Sequence, residues 1–383
     1  MNLMFREEDF EDIRPYHDDE INPALRRIIS NPVFDTILDF FFPYDEKDKI
    51  RKLLSETRSV YSFQKNFVDR LVRAIVSKSS SGLTCSGFEN LTPGKAYLFI
   101  SNHRDIVLDS AILQILLFEH GHNTSEITFG SNLMVNQFVI DLGKSNRMFR
   151  VVRGGSSREL LHNSQQLSAY IRYTIVSKGI SVWIAQRPGR TKNGNDRTET
   201  SLLKMLNMSG RGKPEDSLHE LNIVPCTVSY EYEPCCALKI KELIATSLTG
   251  TYQKQPGEDL NSIIKGIMQQ KGRIHFAIGS PLDKSLGQLS NESTFNRKIN
   301  TLAAIIDKEM YRNFRLWPNN YISWDIQNHS GRFREFYTPD DKAKFLEYME
   351  NETGGLTGDR NMINDLFLQI YANPVSNYLT LNR

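Results

Sequence analysis

Asn102-His103 is followed by Asp105 and Asp109, inside the stretch YLFISNHRDIVLDSAILQILLF, residues 97–118. YLFIS reads as a buried strand that ends in a polar turn. An amphipathic helix then starts at Asp105 or Ile106 and buries Ile106, Ala111, Ile112, Ile115 and Leu116. His103 therefore falls just past the C-terminal end of a strand, the edge where open α/β sheets bind their ligands. Asp105 can cap the helix. Asp109, one turn in, can point back and accept a bond from the imidazole. A histidine fixed in one tautomer by a carboxylate is a general base suited to a hydroxyl. No serine or cysteine stands beside His103 as an evident nucleophile.

The elements around this turn alternate. Strands are expected at 96–101, 126–130, 149–152, 181–185, 223–229 and 273–278. Helical patterns lie near 106–118, 133–142, 158–177 and 258–270. That order implies an α/β domain whose sheet is mainly parallel and flanked by helices. Three regions follow: a helical N-terminal region 1–80, an α/β domain 81–290, and a helical to irregular C-terminal extension 291–383. The KSSSG stretch, 78–82, marks the first boundary. Residues 1–20 carry eight acids and two bases and are expected to pack loosely.

With 383 residues, 39% hydrophobic and 24% charged, the composition is that of a soluble globular protein. No apolar run approaches the ~18 residues of a membrane span, and the acidic amino terminus lacks the zones of a signal peptide. The net charge of +2 gives no reason to expect nucleic acid. Its distribution says more. Residues 144–158 carry five bases and no acid, and residues 187–213 carry seven bases and two acids. Two basic segments after separate strands suit an anionic ligand at one sheet edge. Cys85, Cys226, Cys235 and Cys236 fit no zinc or redox spacing, so a reducing, cytoplasmic compartment and no metal are expected.

The turn resembles the first motif of the glycerolipid acyltransferases, the lysophosphatidate acyltransferase-like family of phospholipid synthesis. That family has Asn/Ser/Cys-His, four residues, then Asp. Asn102-His103 matches, but five residues precede Asp109 and Leu108 holds the strict position. Either the turn absorbs one extra residue or Asp105 takes the role. The LDSAIL context favours Asp109. Phe149 to Arg153 is similar to the second block. Gln186-Arg187-Pro188-Gly189-Arg190-Thr191-Lys192 resembles the third, Glu-Gly-x-Arg-Ser, with Gln186 where the glutamate would stand. Ile223 to Glu231 resembles the fourth, and Gly279-Ser280-Pro281 the exit from the last strand. The likeness covers roughly residues 84–285.

What the resemblance implies is O-acyl transfer from an acyl thioester to a hydroxyl of lysophosphatidate or glycerol 3-phosphate. The donor, acyl-CoA or acyl carrier protein, is a substrate, and no cofactor or metal is expected. His103 would be the base and Asp109, or Asp105, its orienting partner. Asn102, Arg153, Gln186, Gly189, Arg190, Thr191 and Lys192 would bind substrate, with Arg153, Arg190 and Lys192 on the phosphate. The alternatives are a different lysolipid or amino-lipid acceptor, or a catalytically weak member that binds lipid or a partner. A lipid substrate implies peripheral association with the inner face of a membrane. Its expected seat is the 31–43 helix: Phe34, Ile37, Leu38 and Phe41 fill its inward stripe and leave Phe40 and Phe42 at the margins.

Overall fold

The computed structural model describes residues 5–382. Its centre is a seven-stranded sheet: β1 (Gly82–Ser86), β2 (Leu98–Ser101), β3 (Glu126–Gly130), β4 (Met148–Val151), β5 (Val182–Ala185), β6 (Ile223–Tyr230) and β7 (Arg273–Ile278), in the spatial order β1-β7-β6-β2-β5-β3-β4. Every neighbouring pair is parallel except β6 and β7. Strands β2 to β6 thus run one way, and the segments that follow them leave at one edge. The fold class is α/β, with helices on both faces.

The period of two along a strand sorts side chains onto those faces. Leu98, Ile100, Val182 and Ile184 face a core shared with helices Ser157–Arg172 and Phe295–Asn313. Phe99, Trp183, Val224 and Val228 face a second core, shared with helices Asp69–Ser79 and Leu108–Glu119. Because both faces are covered, the eight residues of β6 are all buried, as a central strand of such a sheet requires. Helix Leu108–Glu119 is buried from Leu108 to Leu117, on every side. A helix buried all round belongs in a core, and this one carries Asp109, Ser110 and Gln114 into it.

Six of the strands lie where the sequence pattern puts them. The first, β1, was not among those expected: GLTCS lacks an apolar run and pairs only with β7. The KSSSG stretch leads straight into it. Residues 1–20 correct the expectation of loose packing, apart from 1–4, which lie outside the described residues. Phe10 and Ile13 are buried in the first sheet core, and Phe10 meets the Tyr170 ring at 5.2 Å.

The chain after Phe295 is also more regular than expected. Helices Pro318–Gln327, Pro339–Thr353 and Arg360–Leu379 pack with helix Cys236–Thr249 around Phe345, Phe367 and Tyr371. The N-terminal helices form their own core, and here Phe42 differs from expectation. It is buried and stacks on Phe67 at 6.1 Å, so it is not a marginal, solvent-facing ring. Phe40 alone of that pair is exposed, under the Lys78 ammonium. Among the described residues no helix is long and apolar enough to cross a membrane.

Candidate active site

The turn after β2 is held from three sides. Asn102 is fully buried: its amide nitrogen donates to the Val228 carbonyl at 3.0 Å and to Asp196 at 3.1 Å, and its oxygen accepts from the Val228 N–H at 2.8 Å. These bonds lock the end of β2 to β6. They also use both ends of the amide, so Asn102 positions the turn.

His103 follows, with its side chain 13% exposed and its Nδ1 2.9 Å from Asp109 Oδ2. The same carboxylate oxygen accepts the backbone N–H of Arg104 at 2.6 Å and of Asp105 at 2.9 Å. The other oxygen accepts the Tyr230 hydroxyl at 2.8 Å. Burial, and then the Asp109 charge, push the Tyr230 phenol well above its ordinary value, so it serves as a donor. A buried carboxylate satisfied by four donors is fixed in place. With the Nδ1 proton turned to Asp109, imidazole Nε2 is left as the acceptor. The indole of Trp183 meets the ring edge-on at 5.8 Å.

Asp105 has a different task. Its Oδ1 accepts the N–H groups of Val107 and Leu108, both at 2.9 Å, capping the helix that starts at Leu108. Its Oδ2 is buried without a hydrogen-bond partner, and a Cβ added to Gly266 would lie 2.2 Å from it. Of the two aspartates, Asp109 is the one that meets the imidazole.

Arg104 is buried behind the turn. Its guanidinium bonds Asp196 at 2.6 Å, Glu233 at 3.0 Å and the Gly194 carbonyl at 3.2 Å. Lys239, also buried, donates to the Arg104 carbonyl at 2.8 Å and pairs with Glu233. Burial alone would lower the Arg104 value; the charges of Asp196 and Glu233 outweigh it and raise it. Two cations and two anions close this group internally. The C-terminal helix Arg360–Leu379 backs it: the Tyr371 hydroxyl accepts from the Glu233 N–H at 2.9 Å, and Asn373 donates to the Asn193 carbonyl at 2.7 Å. None of Arg104, Asp196, Tyr230, Glu233 and Lys239 was singled out from the sequence. Only the position of Arg104, next to His103, offered a hint.

The loop after β5 is stitched to the same turn. The Gln186 N–H donates to the Ser101 carbonyl at 2.8 Å, and the Thr191 N–H to the His103 carbonyl at 2.7 Å. The Thr191 hydroxyl donates to Asp196 at 2.7 Å. Gln186 is fully buried with its Nε2 unpartnered, and so is not placed at an open surface. Gly189 turns the loop at φ +74°, a conformation glycine adopts without strain.

Arg190 is buried, yet its Nη1 has no hydrogen-bond partner. A buried guanidinium nitrogen left unpaired is costly unless an anion completes it. Lys192 differs from expectation: its ammonium is committed to Glu242 at 2.5 Å. Burial, followed by the neighbouring Arg190 charge, pushes its value down to about 8. Arg153 leaves the same sheet edge, but from β4, three strands from β2 in the sheet order. It is exposed beside Gly130 and makes no contact with the His103 turn. The two basic segments thus share an edge, and Arg190 and Lys192 flank Thr191, whose N–H is bonded to the His103 carbonyl.

No family model matches the chain, and no curated protein matches it. Among solved structures, the chain is similar to the 1-acyl-sn-glycerophosphate (LPA) acyltransferase PlsC from Thermotoga maritima, at 11% identity and a TM-score of 0.38, over 75% of this chain and 92% of that one.

Proposed function

We infer that the chain is an O-acyltransferase, and the observation that carries this is the His103–Asp109 pair with imidazole Nε2 left as the acceptor. Nε2 takes the proton of an acceptor hydroxyl as its oxygen bonds to the carbonyl carbon of an acyl thioester. The tetrahedral intermediate then expels the thiolate, which recovers the proton from the imidazolium. Asp109 holds the ring in one orientation throughout and stabilises its charged form. The donor is acyl-CoA or acyl carrier protein.

The acceptor read from Arg190 is anionic. Its unpaired buried nitrogen suits a phosphate, as in lysophosphatidate or glycerol 3-phosphate. The commitment of Lys192 to Glu242 thins the cationic set and favours, as a second reading, a lysolipid or amino-lipid with less charge.

Incubation with acyl-CoA or acyl carrier protein and a panel of these acceptors, followed by mass spectrometry, tests the reading. The acylated acceptor should form with the wild type and not with His103→Ala. Product from the variant at the wild-type rate would remove His103 from the chemistry. Absence of product with every acceptor would leave only lipid binding.

A further inference from the structure

The helix Glu258–Met268 lies on the His103 turn through its small residues. Ser262 and Gly266, one turn apart, are buried, and Gly266 packs against the Asp105 carboxylate. Ile267 joins the second sheet core. Four-residue spacing then puts Leu260, Ile264 and Met268 in one line on the opposite face, where they are between 45% and 53% exposed. The outward face of a helix on a soluble protein is ordinarily polar; here it is an apolar ridge.

Two more apolar side chains stand on segments tied to this helix. Val135, 65% exposed, lies in the loop after β3, and Asn132 of that loop donates to Asp259 at 2.9 Å. Leu248, 76% exposed, stands in the last turn of helix Cys236–Thr249, and the loop after it returns to the ridge helix, where the Tyr252 hydroxyl donates to Glu258 at 2.7 Å. The rim is basic. Ser131, in the same loop, accepts the Arg153 N–H at 3.1 Å, and Arg153 and Arg158 are exposed within a segment of five bases and no acid.

The geometry points to this ridge as the surface on which the protein rests on an anionic lipid bilayer, beside the candidate site. The inference depends on the reading that the acyl acceptor is a lipid. An apolar line with a cationic border matches a membrane surface: the apolar side chains enter the acyl boundary while the arginines meet anionic headgroups. A second protein is the poorer occupant. The five side chains present roughly 500 Å² at most, short of the ~800 Å² per partner in a stable protein–protein contact. The helix is favoured over the 31–43 segment because three exposed apolar side chains stand on it in one line, whereas in that segment Phe42 is buried on Phe67 and Phe40 lies under the Lys78 ammonium.

The test is co-sedimentation of the full chain with vesicles of phosphatidylcholine, with and without phosphatidylglycerol. Wild type is expected to bind the anionic vesicles, and less so as salt rises. Leu260→Ser with Ile264→Ser should lower the partition coefficient roughly tenfold or more, with the thermal midpoint unchanged. Transfer to a water-soluble short-chain acceptor should also be unchanged in that double variant. Wild-type binding by the folded variant would overturn the proposal. So would a wild type that acylates a soluble acceptor yet ignores vesicles, or a dimer in solution that the two substitutions dissociate. A wild type that binds vesicles through the ridge but transfers no acyl group would instead sink the acyltransferase reading and leave the docking surface standing.

Discussion

The Tyr230 hydroxyl and the His103 imidazole hold opposite oxygens of one carboxylate, Asp109 Oδ1 at 2.8 Å and Oδ2 at 2.9 Å. The tyrosine stands at the end of β6 and the histidine just after β2, and these strands are parallel neighbours. The sheet itself therefore sets the spacing of the pair. Tyr230→Phe keeps the ring and removes one charge-assisted bond. It should lower kcat by roughly tenfold while KM for the acceptor stays, since Tyr230 touches Asp109 rather than substrate. An unchanged kcat would show that Asp109 holds its place through the Arg104 and Asp105 backbone N–H groups alone.

The two aspartates of the turn should separate cleanly. Asp109→Asn places an amide where four donors converge, and it should cost on the order of 10² to 10⁴ in rate. Asp105→Asn retains an oxygen for the Val107 and Leu108 N–H groups, so its activity should stay within a few-fold of wild type. Parallel kcat/KM measurements check this, and equal losses would mean that Asp105 has a direct part in the chemistry.

The strand–turn–helix unit at 97–118 was legible because its signals are local. An apolar run, a polar turn and an apolar helix lie within one short stretch, and the contact from His103 to Asp109 spans six positions. Tyr230 lies 121 positions from Asp109, and Arg104 lies 92 and 129 positions from its two carboxylates. Such partners are set by strand order, which periodicity does not encode. Helix Cys236–Thr249 escaped notice for a local reason: Cys235 precedes it in a left-handed conformation, φ +56°, with no side-chain cap. The Phe40–Phe42 run shows the limit of a helical wheel. The helix ends at Phe41, and the extended backbone at Phe42 turns its ring back to Phe67.

The Arg104 group makes a stability prediction. Arg104→Met leaves Asp196 and Glu233 buried with one fewer cation between them. Breaking a buried pair from one side typically costs about 3–5 kcal/mol. Urea unfolding should show a loss of that size. A variant as stable as wild type would mean that water reaches the two carboxylates.

Arg190→Ala tests the acceptor. If the unpaired nitrogen meets a phosphate, the substitution removes a charge-assisted bond worth roughly 1.5–3 kcal/mol. Acceptor KM should rise about tenfold or more, with donor KM unchanged. A rise confined to the donor would move Arg190 to the thioester side of the site.

Lys271 contributes to the pH dependence of stability, over the same range as Lys192. It is fully buried, and its Nζ donates to the Gln269 carbonyl at 2.7 Å. Burial pushes its value down from 10.5 to about 8, against an opposing pull from the Asp105 and Cys235 charges. The unfolded chain therefore binds this proton more tightly than the fold does. Between about pH 8 and 10.5 the unfolded state holds more protons, so stability from this group rises with pH across that window. Below pH 8 the full penalty applies. Lys271→Met should accordingly be more stable than wild type at pH 7, by about 1–3 kcal/mol after the lost hydrogen bond is counted. Its advantage should shrink as pH rises through the window. Urea midpoints at pH 7, 9 and 10.5 read this directly. A variant less stable than wild type at pH 7 would mean that the ammonium is needed as a counter-charge to the unpartnered oxygen of Asp105, and that its attraction outweighs the cost of burying it.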